Sequence, residues 1–90
     1  MVLDLGHCKS NDKSLANARE MIEKFRDRIM EIHLSGYVIF HEPLHRTHQD
    51  DIIELCRELP DVPIIIESTF EENDTAEDVY NEINYILERL

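Results

Sequence analysis

Asp4, His33 and Glu67 each stand at the end of a short apolar run: Val2-Leu3 before Asp4, Ile29 to Ile32 before His33, and Val62 to Ile66 before Glu67. Two carboxylates and an imidazole make a donor set for a divalent ion of intermediate hardness, Mn²⁺, Zn²⁺, Fe²⁺ or Co²⁺. Mg²⁺ suits them less, because it prefers oxygen donors throughout. The set works only if the three runs are strands ending on one edge of one sheet. Each residue is also open to a plainer role, as a strand-end side chain hydrogen-bonded to a neighbouring loop. A second concentration of chemistry follows: four of the five histidines fall between Ile29 and His48, in HLSGYVIFHEPLHRTH. Gly36 and Pro43 punctuate this stretch and no helical period runs through it. It reads as a loop opening from the carboxyl end of a strand, where parallel α/β proteins gather ligand-binding groups.

The elements that must position these groups alternate. Val2 to His7 reads as a strand ended by Gly6, and the polar stretch Lys9 to Lys13 as a loop. The spacing of Ala18, Met21, Ile22 and Phe25 predicts a helix from about Ser14 to Asp27. Ile29 to Leu34 is the second strand. Thr47, with Asp50 three residues on, has the form of a capping box for a second helix, which turns Ile52, Ile53, Cys56 and Leu59 inward and stops before Pro60. Val62 to Glu67 is a continuous β-branched run, suited to a parallel strand buried on both faces. Ser68 to Asp74 is a loop, Thr75 and Asp78 repeat the cap pattern, and Val79, Ile83, Ile86, Leu87 and Leu90 line one face of a final helix. Strand then helix, three times over, implies parallel strands joined by right-handed crossovers. The expected fold is therefore α/β, three consecutive βα units in a single domain over residues 1–90, with Asp4, His33 and Glu67 converging on one sheet edge.

Charge narrows the function classes. With 9 basic and 20 acidic residues the net charge is −11, which repels a phosphate backbone and an anionic membrane surface alike. No apolar run is long enough to span a bilayer, and the N-terminus lacks the basic-then-apolar order of a signal peptide. Cys8 and Cys56 form no CxxC pair and fall in different elements, so neither a disulfide framework nor a zinc knuckle is expected, and a reducing cytoplasm is the expected compartment. Cys8 adjoins His7 at the strand end, yet no relay that would activate a thiol can be placed around it. His45 and His48 read as solvated loop residues. Tyr37 and Phe40 either wall a pocket or cover the end of the sheet.

The segments VLDLGH, EIHLSG, HEPL and IIIES, in that order and with helix-sized gaps between them, resemble the C-terminal part of the xylose-isomerase-like (β/α)₈ barrels, a superfamily of sugar isomerases, epimerases and metal-dependent apurinic endonucleases. The likeness covers essentially the whole chain but only the last three βα units of such a TIM barrel, so it implies a partial barrel. It implies metal-ligand positions for Asp4, His33 and Glu67, with Glu67 as the carboxylate that moves a proton on a small sugar. It implies substrate contacts for His7 and for His41, which sits in HEPL. The chain departs from the family pattern where Ile39 replaces an aspartate of the histidine loop and where His45 and Thr47 replace glycines, which argues against a multi-metal endonuclease site. A further ligand, a glutamate from an earlier strand, has no counterpart. A full barrel has about 250 residues and eight strands, whereas three strands leave two edges unpaired. The expected partners are thus further copies of this chain in a homo-oligomer, or a separate N-terminal barrel half. The expected ion would be held weakly, with affinity falling as pH drops through about 6.5, where an ordinary imidazole protonates.

Overall fold

The computed structural model describes every residue from Met1 to Leu90. Strands β1 (Val2–Asp4), β2 (Glu31–Leu34) and β3 (Ile64–Ile66) form one sheet in the order β1-β2-β3, and both pairings are parallel. Leu3 lies opposite Ile32, which lies opposite Ile64, and Asp4, His33 and Ile65 form the next row. The ladder continues past β3, where the Glu67 N–H donates to the Leu34 carbonyl at 2.8 Å. Successive residues of a strand point to opposite faces. Leu3, Ile32 and Leu34 are accordingly buried beneath the helices, while Val2, Asp4, Glu31 and His33 lie on the other face with no layer over them.

Of the helices α1 (Leu5–Asn11), α2 (Ala16–Phe25), α3 (Leu44–Thr47), α4 (Asp50–Cys56) and α5 (Ala76–Arg89), α1 and α4 contact β2 on the covered face, α2 packs on α1, and α5 packs on α3 and α4. Their inward residues, among them Leu5, Leu15, Ile22, Ile52, Ile53 and Ile86, join the buried strand residues in one core. The sheet is thus α/β in class and covered on one face by its own chain. No helix is long and apolar enough to cross a membrane.

Several boundaries differ from the sequence reading, each for a physical reason. The first strand ends at Asp4, not His7, because Asp4 caps a helix that begins at once: its Oδ1 accepts the His7 N–H at 2.8 Å. Gly6 sits in the first turn of α1. A Cβ there would lie 2.5 Å from the Ser35 Oγ, so glycine is what lets α1 rest on the end of β2. The second helix begins at Ala16 instead of Ser14. Buried Leu15 adopts a left-handed backbone, φ 61°, ahead of it, and the Asp12 carboxylate takes the N–H groups of Ser14 and Asn17, both at 3.1 Å. Thr47 is no cap. It ends α3, its hydroxyl donates to the Pro43 carbonyl, and Gln49 precedes α4. The Thr75 cap is present, with the Thr75 N–H donating to Asp78 Oδ2 at 2.7 Å.

Two packing expectations are overturned. The third strand is not buried on both faces: Ile65 is 43 % and Ile66 37 % exposed, because β3 is an edge strand with helices on one side only. The inward stripe of α5 is rotated as well. Glu82 and Ile86 are buried and Ile83 and Tyr85 half-buried, whereas Val79, Leu87 and Leu90 face solvent. Polar partners set this rotation. Pro43, the residue before α3, has no side-chain acceptor, so the first N–H groups of that helix need one from elsewhere. Glu82 supplies it: Oε2 accepts the Leu44 N–H at 2.7 Å and Oε1 the His45 N–H at 2.8 Å, and the Ser68 hydroxyl also donates to Oε2. Tyr85 is drawn the same way, its hydroxyl donating to Asp50 beside Arg89.

Candidate metal centre

Parallel wiring puts the carboxyl ends of all three strands on one edge, and there one donor atom each from Asp4, His33 and Glu67 lies within 4.8 Å of the others. Asp4 and His33 are cross-strand partners. Glu67 arrives one residue beyond β3, on the uncovered face. His33 Nδ1 stands 3.0 Å from Glu67 Oε1, and His33 Nε2 stands 2.9 Å from Glu31 Oε2. All three candidate ligands are half-buried.

These residues fit a divalent ion on two counts. Donor bonds of roughly 2.0–2.2 Å place two ligands of one ion roughly 3–4 Å apart, a separation that His33 and Glu67 already have, with the Asp4 donor within 4.8 Å of both. The donor chemistry, two carboxylates and an imidazole, suits the same ions. The surrounding charge works in the same direction. The hydrogen bond to Glu31, together with the nearby charges of Glu67 and Asp4, raises the His33 imidazole above its ordinary value against the lowering effect of desolvation. Asp4 also fills the plainer strand-end role, since its Oδ1 caps α1.

The two expected substrate contacts occupy different cavities. His7, with its ring exposed on α1, shares with Asp4, Cys8 and Met21 a depression along the β1 edge. His41 lines another, with Phe40, Pro43, Arg46, Thr47 and Thr69. Its Nδ1 stands 2.8 Å from the Oγ of buried Ser35, and its carbonyl accepts the Thr69 N–H at 2.7 Å, which ties the loop after β2 to the loop after β3. Phe40 neither covers the sheet nor is itself covered: at 58 % exposure it meets only the edge of the His41 ring, 4.9 Å between centroids. Arg46 is engaged by Asp74 and Asp78. His48 is exposed as expected, but His45 is not a solvated residue, since its Nδ1 lies 3.0 Å from buried Glu82. Burial, and then Asp4, push the Cys8 thiol up, which works against a thiolate there.

Sequence reasoning passed over three functional-looking acids. Glu82 has the signature of an exposed helix position, and only the missing acceptor at Pro43 hinted at its role. Glu31 looked like one polar residue in an apolar run. Glu42 folds back on its own loop, accepting the N–H groups of Val38, Ile39 and Phe40 at 2.8–2.9 Å. Its partial burial would raise the carboxyl, but these backbone donors outweigh that and hold it at about 2.

Comparison with protein-family models, with curated proteins and with solved structures finds no match to this chain.

Proposed function

We propose that the edge formed by Asp4, His33 and Glu67 binds a divalent cation, and that the chain is the metal-binding portion of a sugar or sugar-phosphate isomerase/epimerase-like barrel, a partial TIM barrel of three units. The observation that carries this reading is the convergence of three donors within 4.8 Å on a sheet face that the chain itself leaves uncovered. Mn²⁺, Zn²⁺, Fe²⁺ or Co²⁺ would be held by Asp4, His33 and Glu67. When bound, such an ion polarises the hydroxy-carbonyl group of a sugar. Glu67, one residue beyond β3, takes and returns the proton, which requires that its second oxygen stay free of the ion. His7 and His41 serve as substrate contacts from the two flanking cavities. With three protein ligands the ion is loosely placed, so the isolated chain has feeble activity or none. An endonuclease-like reading is weaker: Ile39, where the family's aspartate would stand, is 82 % exposed and carries no donor.

The test is calorimetric titration of metal-free protein with Mn²⁺ and with Zn²⁺. The parent should bind one ion, and His33→Ala and Glu67→Ala should each weaken binding at least roughly tenfold. A parent that binds neither ion, or variants that bind as the parent does, would remove the metal centre.

A second reading, a non-catalytic fragment acting in assembly, is favoured by the unpaired outer edges of β1 and β3 and by apolar Val2 and Ile65 on the uncovered face. Pairing with another chain would complete such edges. Both readings therefore expect association, with further copies or with a separate barrel half. Sedimentation equilibrium at micromolar concentration should give a mass above that of a single 10.7 kDa chain. A single-chain mass would count against self-association and leave only a separate partner.

A further inference from the structure

We infer that Glu31 is a positioning residue of this centre: it holds the proton of the His33 ring on Nε2 and so leaves Nδ1, the nitrogen on the Glu67 side, free of hydrogen and open to a cation. Its purpose, though not its geometry, rests on the metal-binding reading above.

Glu31 and His33 are two residues apart on β2, so the pleat puts both on the uncovered face. The cross-strand neighbour of Glu31 is Val2, which offers no polar group, and its carboxylate has no lysine or arginine partner. His33 is the group it engages. The ring is thereby bracketed by two carboxylates, Glu31 at Nε2 and Glu67 at Nδ1, 2.9 and 3.0 Å away. A neutral imidazole has one N–H and one lone pair, and an ionised carboxylate only accepts. The ring can therefore satisfy one of its two neighbours. The Nε2–Glu31 contact has hydrogen-bond alignment, while the Nδ1–Glu67 contact is an approach at ion-pair distance without it. The proton accordingly belongs on Nε2.

The consequence at the other nitrogen is specific. With Nε2 protonated, Nδ1 carries a lone pair 3.0 Å from a Glu67 carboxylate oxygen, an approach of two acceptors that repels itself unless a cation stands between them. Orientation of a ligating histidine by a carboxylate on its far nitrogen fixes the ring and raises its basicity toward the metal. In a β-strand position i−2 lies on the same face as residue i, and Glu31 holds that position relative to His33. Without Glu31, the neutral ring would gain by moving its proton to Nδ1 and donating to Glu67, which would occupy both the nitrogen and the carboxylate that the ion needs.

The experiment reads the tautomer and the affinity separately. In metal-free protein, at a pH above the titration of the ring, ¹⁵N chemical shifts of His33 should show hydrogen on Nε2. In Glu31→Leu, which keeps an apolar side chain compatible with a strand, the population should move toward hydrogen on Nδ1, and the affinities for Zn²⁺ and Mn²⁺ should fall roughly 10- to 100-fold. Glu31→Gln retains a neutral acceptor and should restore the Nε2–H tautomer together with part of the affinity, a rescue that a purely structural role would not produce. A parent ring protonated on Nδ1 overturns the assignment, as does a folded Glu31→Leu protein whose tautomer or affinity equals the parent's. If the parent binds no metal, the proposed function falls, and the tautomer measurement alone decides whether Glu31 positions the ring.

Discussion

Glu82→Ala should cost about 3–5 kcal/mol, a large part of the stability of a domain whose whole stability is roughly 5–15 kcal/mol. The side chain is fully buried in the native chain and accepts from Leu44 N–H, His45 N–H and the Ser68 hydroxyl, with the His45 ring against it. Alanine would leave at least two donors at the start of α3 in a dry interior, and unmet donors of that kind cost about 1–3 kcal/mol each. Because α3 carries buried Leu44 and packs on α5, the helix-to-helix contact would loosen with it. Ser68→Ala removes one bond and should cost about 1 kcal/mol. Urea unfolding followed by circular dichroism would order the two variants. A Glu82→Ala protein within about 0.5 kcal/mol of the parent would mean that water, not the carboxylate, satisfies these groups.

Metal affinity should climb roughly tenfold per pH unit until the His33 ring loses its proton in the metal-free protein, because ligation requires the neutral ring. The hydrogen bond to Glu31 and the adjoining carboxylates raise that titration above the ordinary value of 6.5, so the window lies higher than the sequence alone implies. The sign for the metal-free protein is opposite. A raised imidazole contributes stability that is fully present below about pH 6.5, the unfolded value, and that disappears as pH rises through the higher folded value. Melting temperatures taken with and without Zn²⁺ over this range should therefore diverge: the metal-free protein loses stability as pH rises while the stabilisation by metal grows. Curves that run parallel would show that His33 is not a ligand.

The legible part of this chain was the part in which local pattern and long-range wiring coincide. Asp4, His33 and Glu67 could be placed together because each ends an apolar run, and parallel strands carry their ends to a common edge. What escaped depends on partners distant in sequence. The seven residues of α1 are too few to display a helical period, and Gly6 looks like a breaker until Ser35 is seen beneath it. The stripe of α5 was drawn from its apolar residues, but the acceptor needed by α3 and the hydroxyl needed by Asp50 turn Glu82 and Tyr85 inward instead. The run Ile64-Ile65-Ile66 carries the signature of a strand covered on both sides, whereas this chain covers one.

The strand order β1-β2-β3 follows the chain order, and every crossover lies on the same side. Nothing is threaded between elements that are already paired, and the outer edges of β1 and β3 are the two places where a further strand could pair. An architecture of this kind grows by addition, as a repeat array does. Tandem fusion of the chain to itself should be tolerated far better than insertion into either crossover.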